Sequence, residues 1–232
     1  MTCLSSFAPG VHAVIIGASG GIGAAFAELL AADPNVAQVT RLSRATGFDL
    51  TDPASIAAAA AALLTPPDLI ICATGVLHAD GLAPERDLRM LSAEAFARSF
   101  AVNATGPALV AQAFLPLFAK GKRSVFAALS ARVGSISDNR LGGWYAYRAA
   151  KAALNQIIRT TAIEQARKNP DSILLALHPG TVDTGLSKPF QRNVKTLFTP
   201  QESAAHLLAV INSATPADTG KLYDWKGEAI PF

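Results

Sequence analysis

The chain has 232 residues and 24.0 kDa, half of them apolar and only 16% charged, with mean hydropathy +0.30, which is ample for a buried core and excludes a disordered chain. Twenty Lys and Arg against seventeen Asp and Glu leave a formal charge of +3 with no basic stripe, so a nucleic-acid surface is not indicated. Two cysteines exclude a disulfide scaffold, and four scattered histidines lack zinc-type spacing.

Met1–Gly10 lacks the basic-then-apolar order of a secretory signal, and no run approaches the ~18 apolar residues of a membrane span. The expectation is a compact cytosolic protein. The first β-leaning run, His12–Ile16, passes straight into Gly17-Ala18-Ser19-Gly20-Gly21-Ile22-Gly23 and a helix over Gly21–Ala32. A strand over Ala37–Leu42 comes next. Asp52-Pro53 offers an N-cap and an N1 proline for a helix to Leu64. A strand over Asp68–Ala73 precedes a long Ala-rich helix at Ser92–Ala119. A strand at Arg123–Leu129, a helix at Ala146–Lys168 and a strand at Ser172–Leu177 complete the alternation. Gly180–Phe198 shows no clear element, and Thr199-Pro200-Gln201-Glu202 is a capping box for a helix to about Asn212. The strands are continuously apolar, so burial on both faces is expected. Such strands, separated by helices, predict an α/β, doubly wound Rossmann domain, with a parallel sheet of about seven strands and helices on both faces. One domain is expected over 1–232, with a cofactor half to about 120 and a catalytic and substrate half from about 121.

Glycines in a strand-to-helix turn permit a tight bend and close backbone approach, and the helix N-terminus offers free N–H groups to a pyrophosphate. Ser19 and Ile22 belong to that turn. The second strand ends at Leu42-Ser43-Arg44, with no acid before Asp49. A carboxylate there would hold a ribose 2′-OH, whereas a 2′-phosphate needs a cation, so Ser43 and Arg44 favour NADP over NAD. An ordinary solvated arginine is the alternative.

Tyr147 and Lys151 stand four apart on a predicted helix, which puts phenol and ammonium on one face. A free tyrosine, with a pKa near ~10, exchanges protons poorly at neutral pH, and a neighbouring ammonium together with the positive nicotinamide of the oxidised cofactor is expected to bring it down. Tyr145 lies on another face. Asn103, beside Gly106 and Pro107, is locally unfavourable in an Ala-rich helix and asks for a reason beyond a simple kink.

The spacing Gly17-x-x-x-Gly21-x-Gly23 with Tyr147-x-x-x-Lys151 resembles the short-chain dehydrogenase/reductase family over nearly the whole chain. Ile16 stands where the family usually has Thr. The resemblance implies that Asp49-Leu50 holds the adenine and that Cys72-Ala73-Thr74-Gly75 replaces Asn-Asn-Ala-Gly. It implies that Pro179-Gly180-Thr181-Val182-Asp183-Thr184 receives the nicotinamide amide, with Pro179, Gly180, Val182 and Thr184 as contacts. Asn103 becomes the residue holding a water in a relay to Lys151, while Lys151 also reaches the cofactor ribose. The loop Ser130–Trp144, Tyr147-Arg148 and Leu222-Tyr223-Asp224-Trp225 resemble the C-factor/Sniffer-type branch of carbonyl reductases.

Relatives place a carbonyl-binding serine three residues before a glycine, and counting back from Gly134 reaches Ala131. Ser130 is the nearest hydroxyl, Ser135 and Ser137 further into the loop are the other candidates, and a site lacking a serine is the remaining option. The expected activity is NADP-dependent reduction of an aldehyde or ketone, with Asn103, Ser130, Tyr147 and Lys151 catalytic. A non-catalytic, nucleotide-gated regulatory protein on the same scaffold is the alternative. Gly185–Phe198 is expected to cover a small-molecule carbonyl substrate with an apolar wall of Leu186, Phe190, Val194, Leu197 and Phe198, while Lys188, Arg192 and Lys195 either meet an anion or, the favoured reading, keep the loop soluble. A homodimer is expected through Ser92–Ala119 and Ala146–Lys168.

Overall fold

The computed structural model describes residues 3–79, 81–192 and 194–232. β1 (Val11–Ile16), of Val, Ile and Ala apart from His12, is buried throughout. The glycine turn leads into α1 (Gly21–Ala31), β2 (Val36–Leu42) and α2 (Pro53–Ala61), which Asp52 caps through the Ala54 N–H. β3 (Leu69–Cys72) follows, then α3 (Ala93–Phe100), a π-helical turn at Ala101–Thr105, and α4 (Gly106–Phe114). β4 (Ser124–Leu129), α5 (Tyr145–Lys168) and β5 (Ser172–His178) complete the central layer. The two-residue strands β6 (Thr181–Val182) and β7 (Leu197–Phe198) pair with each other. After them come α6 (Pro200–Ser213), β8 (Lys221–Asp224) and β9 (Ala229–Ile230).

The main sheet has seven strands in the order β2-β1-β3-β4-β5-β8-β9, parallel except for β9. One face is covered by α1 and α6, where Phe26 and Leu30 meet Leu207 and Ile211; the other carries α2, α4 and α5, with Phe114, Leu154 and Ile158 at its centre. Two sequence expectations change here. β1, β3 and β4 are buried on both faces as their composition requires, but β2 forms the sheet edge, and Ala37, Gln38 and Arg41 are exposed. Between Gly180 and Phe198, where no clear element was expected, Thr181–Val182 and Leu197–Phe198 form the β6–β7 pair and Lys188–Phe190 a 3-10 turn. As the long helix expected over Ser92–Ala119, α3, the π turn and α4 run on through 25 residues to Leu117; this helix is long and apolar enough by length and composition to cross a membrane, which the sequence reading had excluded. Its inner face, with Val110, Ala111 and Phe114, is part of the core against the sheet.

Strand register sets up the site. Ile16 pairs with both Leu42 and Cys72, and Leu129 pairs with Leu177, so the loops after β1, β2, β3, β4 and β5 leave along one edge. The order reverses between β1 and β3, and the crevice at that switch point is where open α/β sheets bind ligands.

Candidate active site

The nucleotide side is shaped by missing side chains. Gly17 has φ +86°, and a Cβ there would come within 2.9 Å of the Ala73 carbonyl. A Cβ on Gly23 would sit 2.1 Å from the Gly17 carbonyl, so the helix can start beneath the turn only with glycine there. The Gly21 Cα faces the Thr184 methyl, 2.8 Å from where a Cβ would be, which brings the Pro179–Thr184 segment against the turn. The N-terminus of α1 has no side-chain cap and no acid in its first turn. By contrast, α2, α3 and α6 are capped by Asp52, Ser92 and Thr199. An uncapped helix start at a switch point, in a glycine cradle, fits the pyrophosphate of a nicotinamide dinucleotide.

Ser43 is buried and its N–H donates to Thr46 Oγ1 at 2.9 Å, which starts the 3-10 turn Arg44–Thr46. Arg44 is exposed and has no ion-pair partner among the described residues. The nearest acid in sequence, Asp49, accepts from the Thr51 N–H and hydroxyl at 2.8 Å each, and these bonds hold its carboxyl below the ordinary carboxylate range. Leu50 packs on Gly106, where a Cβ would be 2.6 Å from Leu50 Cγ. Thr74 Oγ1 lies 3.3 Å from Cys72 Sγ, and Gly75 faces both Asn103 and Lys151.

The chemical side is a cavity of about 200 Å³ between the β4 and β5 ends and the 185–198 segment. Tyr147, Ser130, Ala131, Pro179 and Thr184 all line it. Lys151 is buried, with Nζ 2.7 Å from the Leu129 carbonyl and 5.7 Å from the Tyr147 ring centre. Burial pushes the Lys151 ammonium down to about 8. The same burial raises the Tyr147 phenol well above its ordinary value. In the chain alone desolvation is the cause acting on the phenol, whereas the expected depression involves the positive nicotinamide of the oxidised cofactor together with the Lys151 ammonium.

Asn103 sits inside the π turn, fully buried. Its Oδ1 accepts from the Val76 N–H at 3.1 Å, and its Nδ2 donates to the Val76 carbonyl at 2.8 Å and to Ser99 Oγ at 3.3 Å. Ser99 in turn donates to the Ala146 carbonyl of α5. A π turn admits one extra residue into the helix, which turns Asn103 toward the β3 loop and accounts for its place in an Ala-rich stretch.

Ser130 and Ala131 both line the cavity, but Ser130 Oγ lies 2.6 Å from Asn155 Oδ1. Asn155 Nδ2 donates to the Gly134 carbonyl, which orients the amide and leaves Ser130 as the donor. The Ser130 proton is therefore directed into α5 and away from the cavity. Ser135 is buried and accepts from the Asp138 N–H at 3.1 Å.

The sequence profile of the short chain dehydrogenases matches residues 11–195. The chain belongs to the short-chain dehydrogenases. As such it is an NAD(P)-dependent oxidoreductase. It is 33% identical over 186 residues to 1-hydroxy-2-glutathionyl-2-methyl-3-butene dehydrogenase of Rhodococcus sp. strain AD45, covering 80% of this chain and 79% of that one. It is 36% identical over 136 residues to C-signal of Myxococcus xanthus, covering 59% and 78%. Its fold is like that of NADPH-bound carbonyl reductase from chicken fatty liver (TM-score 0.83, 24% identity, 97% and 100% coverage). It is also like that of the carbonyl reductase Sniffer of D. melanogaster (TM-score 0.81, 16% identity, 97% and 100% coverage).

In this short-chain dehydrogenase several supporting residues escaped the sequence reading. Asn155 continues the i, i+4 series Tyr147, Lys151, Asn155, and Ser99 precedes Asn103 by the same step, so the spacing signal was present for both. Glu85, whose Oε2 accepts from the Ala146 N–H at the start of α5, and Ser203, which donates to the Pro179 carbonyl at 2.9 Å, act across the fold and carry no local signal.

Proposed function

We propose that this chain is an NADPH-dependent carbonyl reductase acting on an aldehyde or ketone, with Tyr147 as proton donor. The observation that carries the reading is Tyr147 itself: a phenol lining the cavity, one helical turn from the buried ammonium of Lys151. A protonated acid at rest suits reduction, in which a proton must be given to the carbonyl oxygen as negative charge develops there. The cofactor supplies the hydride when bound. The N–H groups at the start of α1 would hold its pyrophosphate, Arg44 its 2′-phosphate, and Asp49 with Leu50 its adenine. Ala73, Thr74, Gly75 and Lys151 would hold the ribose. Pro179, Gly180, Val182 and Thr184 would receive the amide end. Asn103 holds Val76, and so Gly75, in register with Lys151. With Ser130 turned to Asn155, Tyr147 polarises the carbonyl largely unaided. NADPH-bound carbonyl reductase among the fold neighbours supports the choice of NADP. A homodimer across α3, α4 and α5 belongs to the same reading, supported by the half-exposed Ile163 on the outer side of α5.

The test is NADPH oxidation by the purified chain against a panel of aldehydes and diketones, followed over pH. Turnover is expected, with kcat/KM roughly constant at lower pH and falling as pH rises through about 8, because Lys151 loses its charge there. Lys151→Arg should shift that limb upward. NADPH binding without turnover of any carbonyl would replace this reading with the nucleotide-gated regulatory one.

A further inference from the structure

Among the described residues, Trp144 is the single non-glycine residue with positive φ. It stands at φ 52°, ψ 44°, directly after Gly142 and Gly143, each at φ +64°. Three successive left-handed residues swing the chain into α5. Glycine takes such a turn freely, whereas any residue with a Cβ pays for it in strain. The surroundings hold Trp144 there firmly. Its N–H donates to the Glu85 carbonyl at 2.5 Å, its carbonyl accepts from the Arg148 N–H at 2.8 Å, and Arg148 Nε donates to the carbonyls of Gly142 and Gly143.

The indole is not spent on the protein core. It lines the substrate cavity, half-buried, with its ring centre 6.4 Å from that of Tyr147 at 71° and 5.0 Å from that of Phe190 at 62°. Phe190 comes from the 185–198 segment, which His78 pins by donating from Nε2 to the Gly185 carbonyl at 2.9 Å. The indole thus bridges the proton donor and the cover. Leu77, Val133 and Leu186 add apolar surface beside the rings, and Arg132, the one arginine or lysine among the described residues lining the cavity, is paired with Asp138 and Asp224. Nothing on this wall asks for a charged substrate, and the two rings offer edges and faces to a flat group.

We propose that Trp144 is a specificity-determining residue: its indole, with Phe190, receives a planar conjugated group attached to the substrate carbonyl and sets that carbonyl against the Tyr147 hydroxyl. This rests on the carbonyl-reductase reading above. It assigns the preferred substrates to aryl or α,β-unsaturated carbonyl compounds without charge.

The experiment compares benzaldehyde with cyclohexanecarbaldehyde, equal in carbon count but flat against puckered, using NADPH and the full chain. The ratio of their kcat/KM values should fall about fivefold in Trp144→Gly and stay near wild type in Trp144→Phe, a change of the size that one aromatic contact provides. Trp144→Gly should melt no lower than wild type, since glycine relieves the left-handed turn, so a lost preference cannot be put down to misfolding. An unchanged ratio in Trp144→Gly overturns the proposal while leaving the carbonyl-reductase reading intact. If the wild type reduces neither aldehyde, the decision passes to binding: 4-nitrobenzyl alcohol added with NADP+ should quench tryptophan emission saturably, and Trp144→Phe should abolish that component. Absence of saturable quenching in the wild type also overturns it.

Discussion

At the Gly17–Gly23 turn the working surface is peptide N–H, and the side chains contribute by being absent; at Tyr147 the working surface is a side chain held in place by other side chains. The first region is compact in sequence, with its glycines inside seven consecutive positions. The second draws Asn103 from a π turn, Lys151 and Asn155 from α5, and its neighbour Trp144 from a turn bound to Glu85. The two regions should therefore fail differently. A fault in the turn is steric and harms nucleotide binding and stability together, whereas a fault at the phenol is chemical and leaves the nucleotide in place.

The sharpest contrast is Tyr147→Phe. It should lower kcat by about a thousandfold, the span of a lost general acid, while NADPH affinity by fluorescence titration stays within about twofold of wild type. Retention of most of the rate would break the comparison at its chemical end. Next in size is Gly23→Ala, whose new methyl would meet the Gly17 carbonyl. About 3 kcal/mol of stability and about a hundredfold in NADPH affinity should go together, measured by urea unfolding and titration. Loss of turnover with both preserved would contradict a purely steric role. Arg44→Ala should weaken NADPH about tenfold, roughly 1.4 kcal/mol, and leave NADH unchanged. Equal loss for both nucleotides would remove Arg44 from the 2′-phosphate. Smallest of all, Ser130→Ala should slow turnover less than about tenfold, well below the hundredfold of an oxyanion donor, because its proton already goes to Asn155. A collapse of kcat would return Ser130 to the carbonyl.

The same contrast explains what could be read before the structure. The glycine turn, the Asp52 and Thr199 caps and the Tyr147–Lys151 pair are short-range patterns, and short-range sterics decides them. The edge position of β2 was not legible, because Val39 and Leu42 look the same in a central strand, and only the order of strands exposes Gln38 and Arg41. Glu85 reaches Ala146 across 61 positions and His78 reaches Gly185 across 107, so neither leaves a local trace.

The pairing of Thr181 with Leu197 has a consequence for how this enzyme could be altered. It fastens both ends of the covering segment at the cavity rim, beside Pro179, whose carbonyl is held independently by Ser203. Everything between the two short strands is then a closed loop, and lengthening such a loop is cheap, about 0.6 kcal/mol for each doubling. Segments of different length can be exchanged between Gly185 and Thr196 with the strand ends kept, at the cost of the Phe190–Trp144 ring contact and the His78–Gly185 hydrogen bond. The covering segment and the catalytic side are joined at a two-residue clasp.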